Sequence, residues 1–342
     1  MSVSRPVKVH IKNNHASPDT FPPTPEGEEV FTITEERFAA AAAKYPDVAA
    51  ELDVFIDWDE DNFRESMADA QVLVCWDLPT EDLASIAPDL RWIHIIGAGV
   101  EHLCPMDWLP PEVTVVNNRG THAAKGGEWG LMAVLMLHNR MPAVIANQQR
   151  AHWESLYSTP MAGQTVLVIG TGHIGAGIAE RCRLLGMRTI GVSRHGKKLA
   201  CLDEAHTQDA LDELLPRADY VVMATPLTPE TNQLLNASRL QSLRRGAGIV
   251  NVGRGATMDY VAMAKLLESG HLGGAVIDVF EEEPLPSDSP LWSCPNLVVT
   301  PHISADDGET YVPMTLELVF QNLRRYLAGE ELMNQVRPEL GY

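Results

Sequence analysis

The apolar run TVLVI at residues 165–169 ends in Gly170-Thr171-Gly172-His173-Ile174-Gly175 and passes directly into AGIAERCRLLG, whose apolar positions recur at helical spacing. A strand, a glycine turn and a helix in that order leave the chain few folds to choose from. Gly170 permits the tight turn, Gly172 lets a ligand approach the backbone, and Gly175 lets the helix pack closely on the strand. His173 and Ile174 open the helix, whose first N–H groups then face the diphosphate of a dinucleotide. A GxGxxG pattern alone is weak; between a strand and a helix it is strong.

The segments RTIGV, YVVMATP, GAGIVNVG, GGAVIDVF and NLVVTPH follow, separated by helical patterns. That alternation predicts an α/β fold with a doubly wound parallel sheet covered by helices on both faces. Upstream, strands are expected at residues 7–12, 70–76, 91–96 and 113–117, and helices at 35–44 and 128–137. Residues 13–29 read as a loop, and the stretch carrying Asp53, Asp57, Asp59, Glu60 and Asp61 as a solvated face. A length of 342 residues suits two domains. Because the nucleotide unit lies mid-chain, the amphipathic helix at 311–327 is expected to complete the N-terminal unit.

Composition narrows the partners. With 26 Lys and Arg against 46 Asp and Glu, the formal charge of −20 repels nucleic acid and anionic lipid. The five cysteines (Cys75, Cys104, Cys182, Cys201 and Cys294) are scattered and never form CxxC, so free thiols are expected rather than disulfides or a metal site. The opening MSVSRPVKVHIKNN lacks the apolar core of a signal peptide. No stretch approaches the ~20 apolar residues of a membrane span. A cytoplasmic location is the expectation.

The residues after RTIGV bear on which dinucleotide binds. An NAD site usually carries an Asp or Glu there for the ribose hydroxyls. This chain has Ser193-Arg194-His195-Gly196-Lys197-Lys198 instead. A hydroxyl and a guanidinium suit a 2′-phosphate. NADP(H) is therefore the expected cofactor, with NAD(H) as the alternative, and Ser193, Arg194 and His195 as its contacts.

Three further motifs lie at strand ends, where open α/β sheets bind ligands. They are Asn251-Val252-Gly253-Arg254-Gly255, Asp278-Val279-Phe280-Glu281-Glu282-Glu283-Pro284 and Thr300-Pro301-His302-Ile303-Ser304, which supply a cation, a carboxylate and an imidazole. The glycines around Arg254 suggest close approach by a ligand. A guanidinium can orient a 2-oxoacid through its carboxylate. An imidazolium can donate a proton to the carbonyl oxygen as charge grows there. A carboxylate against the ring favours that charged form.

In the order GAGVEHL, GTGHIG, ATPLTPET, NVGRG, DVFEEEP and TPH, residues 72–302 resemble the D-isomer-specific 2-hydroxyacid dehydrogenase family, in its glyoxylate/hydroxypyruvate reductase-like branch. The resemblance implies two Rossmann-like domains. An NAD(P)-binding domain at 119–302 is inserted into a flavodoxin-like substrate domain of 1–118 plus 303–342, with the active site between them. It also implies a homodimer, with the helix at 128–137 as an interface. Arg254, with Ala98 and Gly99, would hold the substrate carboxylate. Glu283, favoured over Glu281 and Glu282, would pair with His302, which handles the proton. Thr225, Pro226, Asp278 and Ser304 join the cofactor contacts, Asp278 at the nicotinamide or its ribose.

His102 and His122 read as packing residues, and Trp58, Trp76, Trp108, Trp129 and Trp153 as core or as walls of a side-chain pocket. Formate dehydrogenases of the same superfamily resemble the chain less, because a glutamine is expected there in place of Glu283. Phosphite dehydrogenases fit less well because GAGVEHL lacks an expected lysine. A rival of another class is a nucleotide-sensing, corepressor-like binding protein with weak or no turnover.

Overall fold

The structure, a computed structural model, describes residues 5–17 and 21–338. Residues 1–4 of the opening read for a signal peptide and residues 18–20 of the expected loop lie outside the described residues. The chain forms two compact units, one of the described residues through His122 and from Asp307 onward, the other of residues 123–306. The crossings fall at 122 and 306, against 118 and 302 expected from sequence. Local bonds account for the shift. Asn118 donates to Thr315 Oγ1 (2.7 Å) and His122 stacks on Tyr311 (4.0 Å), while Ile303 and Ser304 are tied to Asp278.

The first unit holds strands β1 (Val7–Asn13), β2 (Leu52–Trp58), β3 (Val72–Cys75), β4 (Trp92–Ile95) and β5 (Thr114–Asn117). They pair in parallel in the order β2-β1-β3-β4-β5, the flavodoxin-like arrangement. Alternate residues of each inner strand feed two cores, so these strands read as unbroken apolar runs. Val9, Ile11, Val72 and Val74 pack with Val312, Leu316, Val319 and Phe320 of the helix Tyr311–Leu327, while Leu73, Ile93 and Ile95 pack with Met67, Leu83 and Leu90. The acidic stretch read as a solvated face contains β2. Its residues are mostly half-buried, because an edge strand needs only one apolar face and leaves Asp53 in water.

The second unit holds β6 (Thr165–Ile169), β7 (Arg188–Val192), β8 (Glu204–His206), β9 (Tyr220–Met223), β10 (Gly248–Asn251), β11 (Gly274–Ile277) and β12 (Leu297–Val299). The order β12-β11-β10-β9-β6-β7-β8 is parallel throughout, and strand succession reverses between β6 and β9. Ligands bind beyond the strand ends at such a reversal. The helix expected from residue 128 begins at Ala123. Gly126 and Gly130 sit against Ile174 and Ile178 of the helix His173–Leu184, and their lack of side chains permits that contact. Close packing there offsets the low helix propensity of glycine. All five cysteines are free thiols, and no helix among the described residues is long and apolar enough to cross a membrane.

Three histidines of the first unit, His10, His94 and His122, are buried with one ring nitrogen each lacking a hydrogen-bond partner. Burial pushes the pKa of each down to about 4 from the usual 6.5. Between those values the unfolded chain takes up protons that the folded unit refuses. The stabilisation is thus complete above pH 6.5 and is lost as pH falls to 4, at about 3 kcal/mol per histidine. Urea midpoints should therefore drop steeply between pH 6.5 and 4.5, and less steeply in His94→Gln. Equal slopes for parent and variant would dismiss the histidines as the cause.

Candidate active site

The glycine turn lies at the strand reversal. Gly170 follows β6 at φ +96°, where a side chain would strain the backbone and strike Ala224 O at 2.5 Å. A Cβ on Gly175 would meet Gly170 O at 1.9 Å, so this glycine seats the helix on the turn. Gly172, by contrast, has open space where its Cβ would be, and as N-cap it brings no side chain to the first helical N–H groups. Room and unoccupied donors together make an anion cradle. Across the reversal Thr225 follows β9, and its buried hydroxyl has no partner. His173 is exposed and Ile174 half-buried at the helix start. At the end of β7, Ser193 is half-buried, Arg194 and His195 are exposed, and Arg194 reaches Glu230 at 3.9 Å. An open glycine, free donors and an orphaned hydroxyl fit a dinucleotide.

His302 and Glu283 meet through Nδ1 and Oε2 at 2.7 Å. The other oxygen of Glu283 accepts from the backbone N–H of Phe280 at 2.7 Å, which fixes the carboxylate before it touches the ring. Glu281 instead accepts from Gln233. Burial lowers the pKa of His302, but the hydrogen bond and charge of Glu283 outweigh it and hold the imidazole above its usual value. Burial likewise opposes ionisation of Glu283, yet His302, Phe280 N–H and the charge of Arg254 bring it below the carboxylate range. Arg254 acts on both partners by its charge, lowering His302 as well.

The backbone around Arg254 is tightly held. Asn251 Oδ1 accepts from Gly253 N–H (3.0 Å), and Thr257 Oγ1 donates to Arg254 O (2.6 Å). The flanking glycines, read as room for a ligand, serve packing instead. A Cβ on Gly253 would meet Thr225 O at 2.6 Å, and one on Gly255 would meet Phe280 C at 2.1 Å. Asp278 is fully buried, with its carboxyl accepting from Thr300 Oγ1 (2.6 Å), Ile303 N–H (3.0 Å) and Ser304 N–H (2.9 Å). Sequence reasoning missed Thr300 and Asn251 as partners, although both stood in the motifs that drew attention.

In the first unit, Ala98 and Gly99 follow β4. Asn117 Nδ2 donates to Ala98 O (2.7 Å) and Asn118 N–H to Gly97 O (2.9 Å). The N–H groups of Ala98 and Gly99 enter no hydrogen bond among the described residues. Trp76 is packed by Phe21 (4.4 Å) and His102 (4.2 Å), and a Cβ on Gly97 would strike it at 2.3 Å. Trp129 is core and Trp153 is 96% exposed.

The family profile described as D-isomer specific 2-hydroxyacid dehydrogenase, NAD binding domain, matches residues 131–304. A D-isomer specific 2-hydroxyacid dehydrogenase from Xanthobacter autotrophicus Py2, solved with NADPH and MES, is similar at 31% identity and a TM-score of 0.82, over 99% of this chain and 100% of that one. An NADPH-dependent glyoxylate/hydroxypyruvate reductase from Sinorhizobium meliloti, solved with NADP and sulfate, is 28% identical with a TM-score of 0.78, over 98% and 100% of the two chains. A glyoxylate reductase from Korarchaeum cryptofilum is 28% identical over 81% of this chain and 85% of its own length. Strand order, glycine turn and sequence similarity converge: the chain belongs to the D-isomer specific 2-hydroxyacid dehydrogenase family, close to its glyoxylate/hydroxypyruvate reductase-like members, and is an NAD(P)-dependent oxidoreductase of 2-hydroxyacids and 2-oxoacids.

Proposed function

We propose that the chain is an NADP(H)-preferring reductase of small 2-oxoacids, glyoxylate and hydroxypyruvate above all, in which His302, Glu283 and Arg254 carry the reaction. The observation that carries this reading is the His302–Glu283 pair, whose carboxylate is itself anchored on Phe280 N–H. When bound, the dihydronicotinamide supplies the hydride to the carbonyl carbon. With Nδ1 engaged by Glu283, His302 gives its proton from Nε2 to the carbonyl oxygen as negative charge develops there. Glu283 raises the pKa of the imidazole against the effect of burial and so favours the protonated ring that reduction needs; in the reverse direction the neutral form takes the alcohol proton. Arg254 binds the substrate carboxylate, and the N–H groups of Ala98 and Gly99 are further donors to it.

For the cofactor, Gly170, Gly172, His173, Ile174 and Gly175 hold the diphosphate, and Thr225 and Pro226 line its path. Ser193, Arg194 and His195 receive the 2′-phosphate, while Ser304 stays near the nicotinamide end. The exposed Arg194–Glu230 pair at 3.9 Å contributes little, so a phosphate displaces it readily. Arg194→Ala should lower kcat/KM for NADPH by about 10- to 100-fold, the value of one charge-assisted contact, and leave that for NADH nearly unchanged. Equal losses with both cofactors would remove Arg194 from 2′-phosphate recognition. The reading as a whole is tested by a 2-oxoacid panel with NADPH followed by absorbance. Tight NADPH binding with no turnover on any acid would favour the sensor reading instead. A cytoplasmic homodimer completes the proposal, supported by the free thiols and by the exposed Trp153 and Tyr157.

A further inference from the structure

We propose that Asn117 and Asn118 are positioning residues that orient the backbone N–H groups of Ala98 and Gly99 toward the substrate carboxylate. The proposal rests on the carboxylate-binding reading of those two groups given above. In a trans peptide unit the carbonyl and the N–H point in opposite directions, so fixing one end aims the other. The N–H of Ala98 shares its unit with Gly97 O, the N–H of Gly99 shares its unit with Ala98 O, and neither unit is cis. Asn118 N–H donates to Gly97 O at 2.9 Å, and Asn117 Nδ2 donates to Ala98 O at 2.7 Å. Ile96 O, one unit earlier, accepts from Tyr311 OH (2.8 Å) and from Asn118 Nδ2. Three successive carbonyls are thus held, while the N–H groups of Ala98 and Gly99 enter no hydrogen bond among the described residues.

Both asparagines are buried and are themselves anchored. Asn118 Oδ1 accepts from His94 Nε2 (2.8 Å), its Nδ2 also donates to Thr315 Oγ1 (2.7 Å), and Asn117 Oδ1 accepts from Arg119 N–H (3.2 Å). An amide meets what the place demands, a donor for the loop carbonyl, an acceptor for the anchor and no charge to bury. The backbone of Asn117 is tied on both sides to Asn334, whose O accepts from Asn117 N–H (3.2 Å) and whose Nδ2 donates to Asn117 O (3.1 Å). Gly97 lies against Trp76, where a Cβ would meet the indole at 2.3 Å. Ala98 by contrast is exposed and Gly99 half-buried, so a ligand can reach the donors that the fold leaves unused.

Asn117→Ala and Asn117→Asp, studied as full-length protein, test the proposal on two substrates, hydroxypyruvate and glycolaldehyde, the second being the first without its carboxylate. Alanine removes the donor to Ala98 O and frees that peptide unit to turn. kcat/KM for hydroxypyruvate should fall by about 10-fold, the value of one hydrogen bond to a charged group, mainly through KM. Efficiency with glycolaldehyde and the Kd for NADPH by fluorescence titration should each stay within about twofold of the parent. Aspartate sets a second acceptor against Ala98 O and drives the unit from its place. Its loss on hydroxypyruvate should reach about 100-fold, with glycolaldehyde again nearly unchanged. If Asn117→Asp fails to fold, Asn117→Ala decides alone. Equal losses on both substrates would mark Asn117 as merely structural and overturn the proposal, as would an unchanged KM for hydroxypyruvate in Asn117→Ala. A parent enzyme that reduces glycolaldehyde as efficiently as hydroxypyruvate would instead overturn the carboxylate reading beneath, and the proposal with it.

Discussion

His302→Gln should lower kcat for 2-oxoacid reduction on the order of 10³-fold, within the range that general acid–base catalysis supplies, while the Kd for NADPH stays within about twofold. Glutamine can still offer an N–H to the carbonyl oxygen but has no proton to transfer at neutral pH, so the loss isolates proton transfer from binding. Its neighbour gives the companion result. Glu283→Gln keeps a hydrogen-bond acceptor on Nδ1 but removes the charge that overcomes burial, so the pKa of His302 should fall. The reductive reaction needs the protonated ring, and its alkaline limb should therefore move to lower pH. The oxidative reaction needs the neutral ring, and its acid limb should move the same way, with relative gain near neutrality. Rate profiles in both directions read this directly. Near-parent turnover in His302→Gln would take the imidazole out of the mechanism.

What was legible in the sequence follows from what a one-dimensional pattern can encode. The glycine turn was readable because each of its requirements, a positive φ at Gly170, open space at Gly172 and contact at Gly175, is met by the same residue type at fixed spacing. Inner strands such as Ile249 and Val250 of β10 were readable because burial on both faces leaves an unbroken apolar run. The edge strand β2 was not, since one wet face gave it acidic residues that also suit a loop. The start of the helix Ala123–His138 was obscured by Gly126 and Gly127, whose purpose lies in a helix some fifty residues away. The motifs found the functional residues but not their partners. A carboxyl after a strand looks the same whether it faces a ligand or a neighbouring turn, so the bonds of Asp278 to Thr300, Ile303 and Ser304 were not legible from the motif. The glycines beside Arg254 were misread for a similar reason, since close approach by backbone and by ligand impose the same residue.

That misreading sharpens the expectation for Arg254. Gly253 and Gly255 are fixed by Thr225 and Phe280, and Arg254 O by Thr257, all through backbone or neighbouring groups. The guanidinium adds its own bond from Nη1 to Gly253 O (2.9 Å) to these, so Arg254→Leu removes a structural contact along with any hold on the substrate, and substrates with and without a carboxylate separate the two. Two charge-assisted hydrogen bonds to a carboxylate contribute about 4 kcal/mol together, which corresponds to a loss in kcat/KM of about 10³-fold. Most should appear in KM if the contact is equally strong in the ground state, and in kcat to the extent that the guanidinium also orients the carbonyl. Arg254→Lys should recover little, because a point charge lacks the planar fork that grips two oxygens at once. The decisive comparison uses an aldehyde without a carboxylate. Parent and Arg254→Leu should reduce it with similar, low efficiency, since neither has an anion to hold. If Arg254→Leu keeps kcat/KM for the oxoacid within about tenfold of the parent, or loses as much on the aldehyde, carboxylate binding belongs to other groups.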